Sequence, residues 1–346
     1  NVIGLYGKSI RETLQFGKTT AKNICLTQNN GDELYNEKLW LFSREDESGR
    51  EYSVGFFLDN DGHLLPVNEP AFCFFPTKEV TGLNFIIHAP FLLTDSREGI
   101  RAGIAHNTYM MQRLAKLSAD ALLFLRDIGV RKSFRLIDDS ILSIIPIDKK
   151  NFSILDDKRR ISFMPFYDNI KAIFENEKIL PARDDYVISN NAYWAAVPQL
   201  TQVFSDTQLG DICDNKDAKW VFLSLGRDEI RRNNAALFAY IEAITRTNLN
   251  EDVIINGRSD SYYDRILEQR QSIESIKGIT TSFIETQPIP WLHEFYKWLS
   301  ETKHRTEIIT NKAIFLDQNG KAAAAFDKAG QLILFMPMKD MSGFST

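Results

Sequence analysis

The stretch that decides the fold is Phe85-Ile-Ile-His-Ala-Pro-Phe-Leu-Leu-Thr-Asp-Ser-Arg-Glu-Gly-Ile-Arg101. Its first part is an apolar run through Thr94, and Asn84–Phe91, apolar and aromatic or β-branched, reads as a strand. After Arg97 the period changes. Ile100, Ile104, Met111, Leu114, Leu117, Ala121, Leu122 and Leu125 fit one helical face, which predicts a long amphipathic helix from Arg97 to about Ile128. Asp95 or Ser96 is the expected N-cap, Glu98 an acid in the first turn, and Gly129 the stop. Strands followed by a long helix make an α+β layer domain.

Working outward, Leu39–Ser43, Tyr52–Asp59 and Ala71–Pro76 also read as strands, with a turn at Asn60-Asp61-Gly62. Residues 1–34 are polar and turn-rich, a lead-in with one short helical candidate over Lys8–Phe16. The α+β domain therefore spans 35–147, and the charged stretch Asp148–Arg160 reads as a linker. The region 160–346 is mixed and helix-rich. Helices are expected at Phe166–Glu177, Trp194–Phe204, Thr207–Cys213, Arg227–Thr245, 260–277 and Trp291–Glu301. Ile179–Ser189 and Trp220–Leu225 read as strands. Ala313–Leu316, Ala322–Phe326 and Gln331–Met336 make a small closing β-meander with turns at Asp317-Gln-Asn-Gly320 and Lys328-Ala-Gly330. The expected class is α+β: a mixed sheet with a long amphipathic helix, then this helix-rich region.

Composition narrows the function. With 44% hydrophobic and 25% charged residues among 346, the chain is an ordinary globular one. A net charge of −5 argues against a general nucleic-acid-binding surface. No apolar run approaches the roughly 20 residues of a membrane span, and no signal peptide is visible, so the expected place is the cytoplasm, with no membrane partner. Cys25, Cys73 and Cys213 are too scattered for a disulfide framework or a zinc site. The start at Asn1 and the end just after a strand-like run read as a piece of a longer protein.

Most chemistry-bearing motifs dissolve on inspection. Gly4-Leu-Tyr-Gly7-Lys8-Ser9 and Gly17-Lys18-Thr19 imitate a phosphate loop, but the required glycine five residues before Gly-Lys is missing and no strand precedes either. The pairs Asp138-Asp139, Asp156-Asp157 and Asp184-Asp185 read as solvated turns. No Ser-His-Asp or Cys-His set can be assembled. Trp291, Phe295 and Trp298 at helical spacing read as core, with a partner-binding face as the alternative. Arg97 is different. At a helix start, where unpaired N–H groups and the dipole favour anions, an arginine free of partners suits a phosphate sensor aimed at a nucleotide held elsewhere. Pairing with an acid on its own helix is the structural alternative.

Phe72-Cys-Phe-Phe-Pro-Thr-Lys-Glu-Val-Thr-Gly-Leu-Asn-Phe-Ile-Ile-His-Ala-Pro-Phe-Leu-Leu-Thr-Asp-Ser-Arg-Glu-Gly-Ile100 resembles the sacsin-like group of GHKL ATPases, a pattern carried by many large bacterial proteins. Through Ser96-Arg97-Glu98 it resembles, more weakly, the middle domain of the ninety-kilodalton heat-shock chaperone. Ile179-Leu-Pro, Trp194 and the segment from Trp291 to Leu299 extend the sacsin-like resemblance, so that it covers roughly 35–336. The resemblance implies a transducer-like region in which Arg97 reaches the γ-phosphate of ATP bound by another domain. It implies a second polar contact four residues on, where Arg101 stands in place of the chaperone family's glutamine. It also implies ATP and Mg2+ in the full-length protein, an N-terminal nucleotide-binding domain of the same chain as partner, a protein client, and a chaperone-like or bacterial defence role.

The nucleotide site such a family needs, an asparagine-bearing helix with an acidic base and an Asp-x-Gly-x-Gly loop, is absent from these residues. The alternative is a non-catalytic scaffold or recognition module. We expect these 346 residues alone to show no micromolar affinity for a non-hydrolysable ATP analogue in calorimetric titration. Binding at that level would place a nucleotide site inside the chain.

Overall fold

In the computed structural model the described residues are 5–29, 34–149, 152, 160–195, 200–221, 247–249, 278–301 and 312–334. They form two compact units, one running through Ser189 and the other built from Asn190–Val221 and the later described segments. The class is α+β, with a mixed sheet.

The first unit begins with strands where a helix was expected. β1 (Leu5–Phe16) and β2 (Thr19–Asn29) form a long antiparallel hairpin. The period is two: Glu12, Leu14 and Phe16 are half-buried while Arg11, Thr13 and Gln15 face solvent. Gly17, at φ +58°, supplies the two-residue turn. Both phosphate-loop imitations are thereby explained, since Gly7-Lys8 lies within β1 and Gly17-Lys18 is the hairpin turn. A bulge between Ile10 and Glu12 breaks the ladder of β1 once. These residues are thus part of the sheet rather than a lead-in.

The sheet continues through β3 (Leu34–Glu45), β4 (Glu51–Leu58), β5 (Leu64–Leu65), β6 (Pro70–Cys73), β7 (Phe75–Val80) and β8 (Ile86–His88). The order is β1-β2-β3-β4-β8-β6-β7, with β5 beside β4. All neighbours are antiparallel except β6 and β8, which pair in parallel at Phe72 and His88.

The long helix, α1, covers Ala105–Arg131 and not 97–128. Ile104 is its N-cap residue, without a side-chain bond; Asp95 and Ser96 do not cap it. The reason lies in the chain before it. Residues 99 and 101 bond backward to 94 and 92 instead of forward along a helix, and Gly103 sits at φ +71°. At the other end Gly129 is inside the helix. Its role is close approach: a Cβ there would lie 2.5 Å from the carbonyl oxygen of Phe134 on the returning chain.

α1 lays Met110, Met111, Leu114, Leu117, Ala121, Leu122, Leu125 and Ile128 against the sheet and α3, all buried. Each large side chain contributes about 1.5–3 kcal/mol on burial. A chain of aromatic rings runs from Phe42 to Phe56 (6.3 Å), Phe85 (5.0 Å) and Phe166 (6.1 Å). Between α1 and α3 lies α2 (Ile141–Ile144). Phe166 belongs to α3 (Met164–Asn176), which opens on Pro165 and packs along α1. The first unit thus runs past residues 148–160, most of which lie outside the described residues. β9 (Leu180–Pro181) and β10 (Tyr186–Val187) close it as a short hairpin.

In the second unit, β11 (Ala192–Ala195) stands where a helix from Trp194 was expected. It pairs in parallel with β12 (Lys219–Trp220) and β13 (Thr247–Leu249), partners too distant for local periodicity to reveal. α4 (Leu200–Val203) and α5 (Asp206–Cys213) follow, the latter with a capping box at Ser205 and Gln208. α6 (Thr281–Thr286) is followed by α7 (Ile289–Glu301), which packs on Phe204 through Trp291, Phe295 and Trp298. α6 sets Phe283 edge-on to Trp291, and Phe295 and Trp298 are buried. The aromatic helix is therefore core, and Trp291 stacks on Phe295 at 5.0 Å. β14 (Ala313–Leu316) and β15 (Ala322–Ala324) form a hairpin, extended by a single bridge from Phe326 to Leu332. The helices expected at Arg227–Thr245 and 260–277 lie outside the described residues. No described helix is long and apolar enough to cross a membrane.

Two outcomes follow from this packing. Gly129→Ala would be neutral to stabilising by helix propensity alone. The Phe134 carbonyl makes it destabilising by about 1–3 kcal/mol in denaturant unfolding, the range for overpacking a closed site. The second concerns His63. Partial burial opposes its charge, but the hydrogen bond to Asp138 at 2.5 Å and the nearby Asp59 and Asp61 raise its pKa overall. A raised histidine contributes stability that is fully present below its unfolded value of about 6.5 and lost as pH rises through the folded value. The midpoint of unfolding should fall modestly from pH 6 to 8, and His63→Gln should flatten that dependence.

Candidate functional site

The expected site residue Arg97 lies in a tight loop ahead of α1. Residues 92–94 return on 99–101 as a miniature hairpin: the Thr94 N–H donates to the Gly99 carbonyl (2.8 Å), the Arg101 N–H to the Leu92 carbonyl (3.0 Å), and Leu93 bridges Ile100. The Arg97 N–H closes the tip onto the Thr94 carbonyl at 2.8 Å. Thr94 Oγ1 accepts the Gly99 N–H at 3.2 Å. Arg97 takes a left-handed backbone, φ +58°. That conformation costs a non-glycine residue about 1–3 kcal/mol and persists where the surroundings enforce it.

Beside this loop stands the turn from β6 to β7. Phe72 pairs with Pro76 and Cys73 with Phe75, leaving Phe74 at the tip, also left-handed at φ +61°. The rings of Phe74 and Phe75 are 75% and 79% exposed. These are uncommon values for phenylalanine, whose apolar ring is ordinarily covered. Between the two turns lies a cleft of about 570 Å³, lined on one side by residues 73–77 and on the other by Leu93, Thr94, Asp95 and Arg97. Among the described residues four non-glycines have positive φ, and two of them, Phe74 and Arg97, line this cleft.

The electrostatics single out Arg97. Asp95 is paired with Arg101 at 2.5 Å, and Glu98 with Lys78 at 2.6 Å. The Arg97 guanidinium is exposed and has no hydrogen-bond or ion-pair partner among the described residues. The two expected arginines therefore part company. Arg97 faces the cleft, while Arg101 folds back on Asp95 and is not among the cleft residues. Their helical spacing is lost because no helix runs between them.

Several neighbours escaped the sequence reading. Lys78 N–H donates to the Glu98 carbonyl at 2.6 Å, and Glu79 Oε2 accepts the Ile100 N–H at 3.2 Å, so β7 holds the loop from one side. Asn107, in the first turn of α1, is fully buried and holds it from the other. Its Oδ1 accepts the Leu92 N–H (2.8 Å) and its Nδ2 donates to the carbonyls of Leu92 (2.7 Å) and Arg101 (2.8 Å). A lone asparagine among the apolar positions of a predicted helix was the signal that could have found it. His106 Nε2 reaches the Pro90 carbonyl at 2.9 Å. The other candidates are structural. Cys73 is buried, its thiol pKa raised by burial despite a bond to the Phe91 carbonyl. His88 is half-buried with its pKa lowered by burial, only partly offset by Glu51, and Phe74 stands edge-on to it at 5.8 Å. Asp138 holds His63 and Ser140. Among the described residues no group of His, Cys, Asp or Glu is placed to hold a metal ion.

Comparison with known proteins gives one partial likeness. Over 83 residues, 23% of the chain, the sequence is 37% identical to Protein NO VEIN of Arabidopsis thaliana. The matched stretch spans 3% of that protein's length. No family model matches the chain, and no solved structure matches it.

Proposed function

We propose that the chain is the middle, transducer region of a GHKL-type ATPase, coupling ATP binding and hydrolysis in a separate nucleotide-binding domain to shape change. The setting is a chaperone-like or bacterial defence machine in the cytoplasm. The observation that carries this reading is Arg97: exposed, unpaired among the described residues, and held in a left-handed turn at the lip of the cleft. A structural arginine is paired at home, whereas a sensor of an incoming anion keeps its donors free.

The chemistry is a charge lever. The guanidinium offers a planar fork of donors that matches a terminal phosphate. Its contact exists only while the γ-phosphate is present, so the triphosphate favours the docked state over the diphosphate. Charge developing on the transferring phosphoryl group strengthens the same contact and speeds hydrolysis. Arg101, turned onto Asp95, would join as a second contact after exchanging that exposed pair, at little cost. The described residues offer no ligand set for Mg2+, so its place is with the nucleotide in the other domain and no step here runs through it.

A second reading, a non-catalytic recognition module, draws on the exposed rings of Phe74 and Phe75. In it those rings, rather than the buried aromatic helix, meet a protein partner. Steady-state hydrolysis separates the two. In the full-length protein Arg97→Ala should lower ATP turnover by roughly 10²-fold, the scale for one lost transition-state contact. The melting temperature should stay unchanged, because an exposed arginine adds little stability. Unchanged turnover would favour the recognition module.

A further inference from the structure

A sensor arginine at the tip of a loop works only if the loop's base is fixed. Here one buried side chain makes three of the bonds that fix the base. Asn107 has no solvent exposure, yet its amide spends every bond on backbone groups of the two loop strands: the Leu92 N–H and carbonyl, and the Arg101 carbonyl. Asn107 sits in the first turn of a helix whose other buried positions hold the sheet and α3. A buried amide so placed is costly to mismatch, since any displacement of the loop strips three bonds at once in a dry site.

We propose that Asn107 is a positioning residue for Arg97, and that its clamp makes the 92–101 loop and α1 move as one body. This rests on the reading of Arg97 as the phosphate contact. In that case a pull on the guanidinium is transmitted through the loop strands to the amide and so to the longest helix of the first unit. Glu79 provides the opposing tie. Its carboxylate holds the Ile100 N–H from β7, so the loop is gripped between a helix and a strand. The pair sets the direction in which Arg97 points without touching the nucleotide.

The test is a double-mutant cycle on the full-length protein. Asn107→Ala should reduce kcat about tenfold with KM for ATP unchanged, less than loss of the arginine itself, because a misdirected guanidinium keeps part of its transition-state contact. Added to Arg97→Ala it should cost nothing further, because residues acting as one unit are not additive. A structural asparagine would instead give an additive loss that tracks a lowered melting temperature, and that result would overturn the proposal. Since Asn107→Ala could impair folding, Glu79→Ala serves as the second variant. It is half-buried, removes only the Ile100 tie, and should lower kcat several-fold at an unchanged melting temperature. A rise in KM with kcat unchanged in both variants would also overturn it. Amide exchange separates this proposal from the sensor reading. If Arg97→Ala leaves turnover intact, the sensor reading fails, while the clamp is still judged by exchange at Leu92, Gly99 and Arg101. Those amides should exchange about tenfold faster in Asn107→Ala with the middle of α1 unaffected. Unchanged exchange there would remove the clamp as well.

Discussion

The first unit depends on one constraint, the burial of the apolar face of α1 against an aromatic-rich sheet. Leu114, Leu117, Ala121, Leu122 and Leu125 are all without solvent exposure, and the facing strands answer with Trp40, Phe42 and Phe56. Secondary contacts are arranged around that interface. The β1–β2 hairpin is drawn in by Phe16, whose ring stacks on Phe124 at 4.5 Å, and by Arg44, which holds both Thr19 (2.6 Å) and Asp120 (2.9 Å). α3 completes the burial from the other direction through Phe166. Because packed interiors deform little, a helix held this way keeps a fixed position against the sheet.

That rigidity gives the cleft its meaning. Two neighbouring turns, each with a non-glycine residue in left-handed backbone, present an apolar ring and a cation unpaired among the described residues on opposite walls. Neither conformation would persist in an isolated peptide. Both are enforced by hydrogen bonds from elements whose own positions are fixed by the core. Exposed aromatic surface beside a guanidinium also lowers the local polarity once a partner covers it, which strengthens the contact of that cation with any anion.

Much of the architecture was legible in the sequence, and the misses share a cause. The segments around Leu39, Tyr52 and Ile86 and the helix body after Ile104 carry their period in the residues themselves. Lys8–Phe16 was misread as helix because its apolar residues are sparse and its strand character is fixed by pairing with β2. Trp194 was misread because its parallel partners lie far along the chain. The helix start was placed eight residues early because Ile100 and Ile104 continue the helical period. Hydrogen bonding of 99–101 back onto 92–94 competes with the helix there and wins. The motif singled out Arg97, but its backbone conformation, its lack of a partner among the described residues and the hydrogen bonds of Asn107 and Glu79 could not be read there. They depend on which groups the fold brings within hydrogen-bonding distance.

The bulge at Ile10–Glu12 has a consequence of its own. Among the described residues β1 has no neighbour on its outer side, so this long strand offers a row of open backbone donors and acceptors. Such an edge is a template on which another polypeptide could deposit. The irregularity interrupts the template midway, and the exposed cations of Lys8 and Arg11 stand along it. A strand arriving there would lose registry and meet like charge if it were a second copy. The feature that makes the hairpin slightly less regular thus makes this edge a poorer template for an added strand.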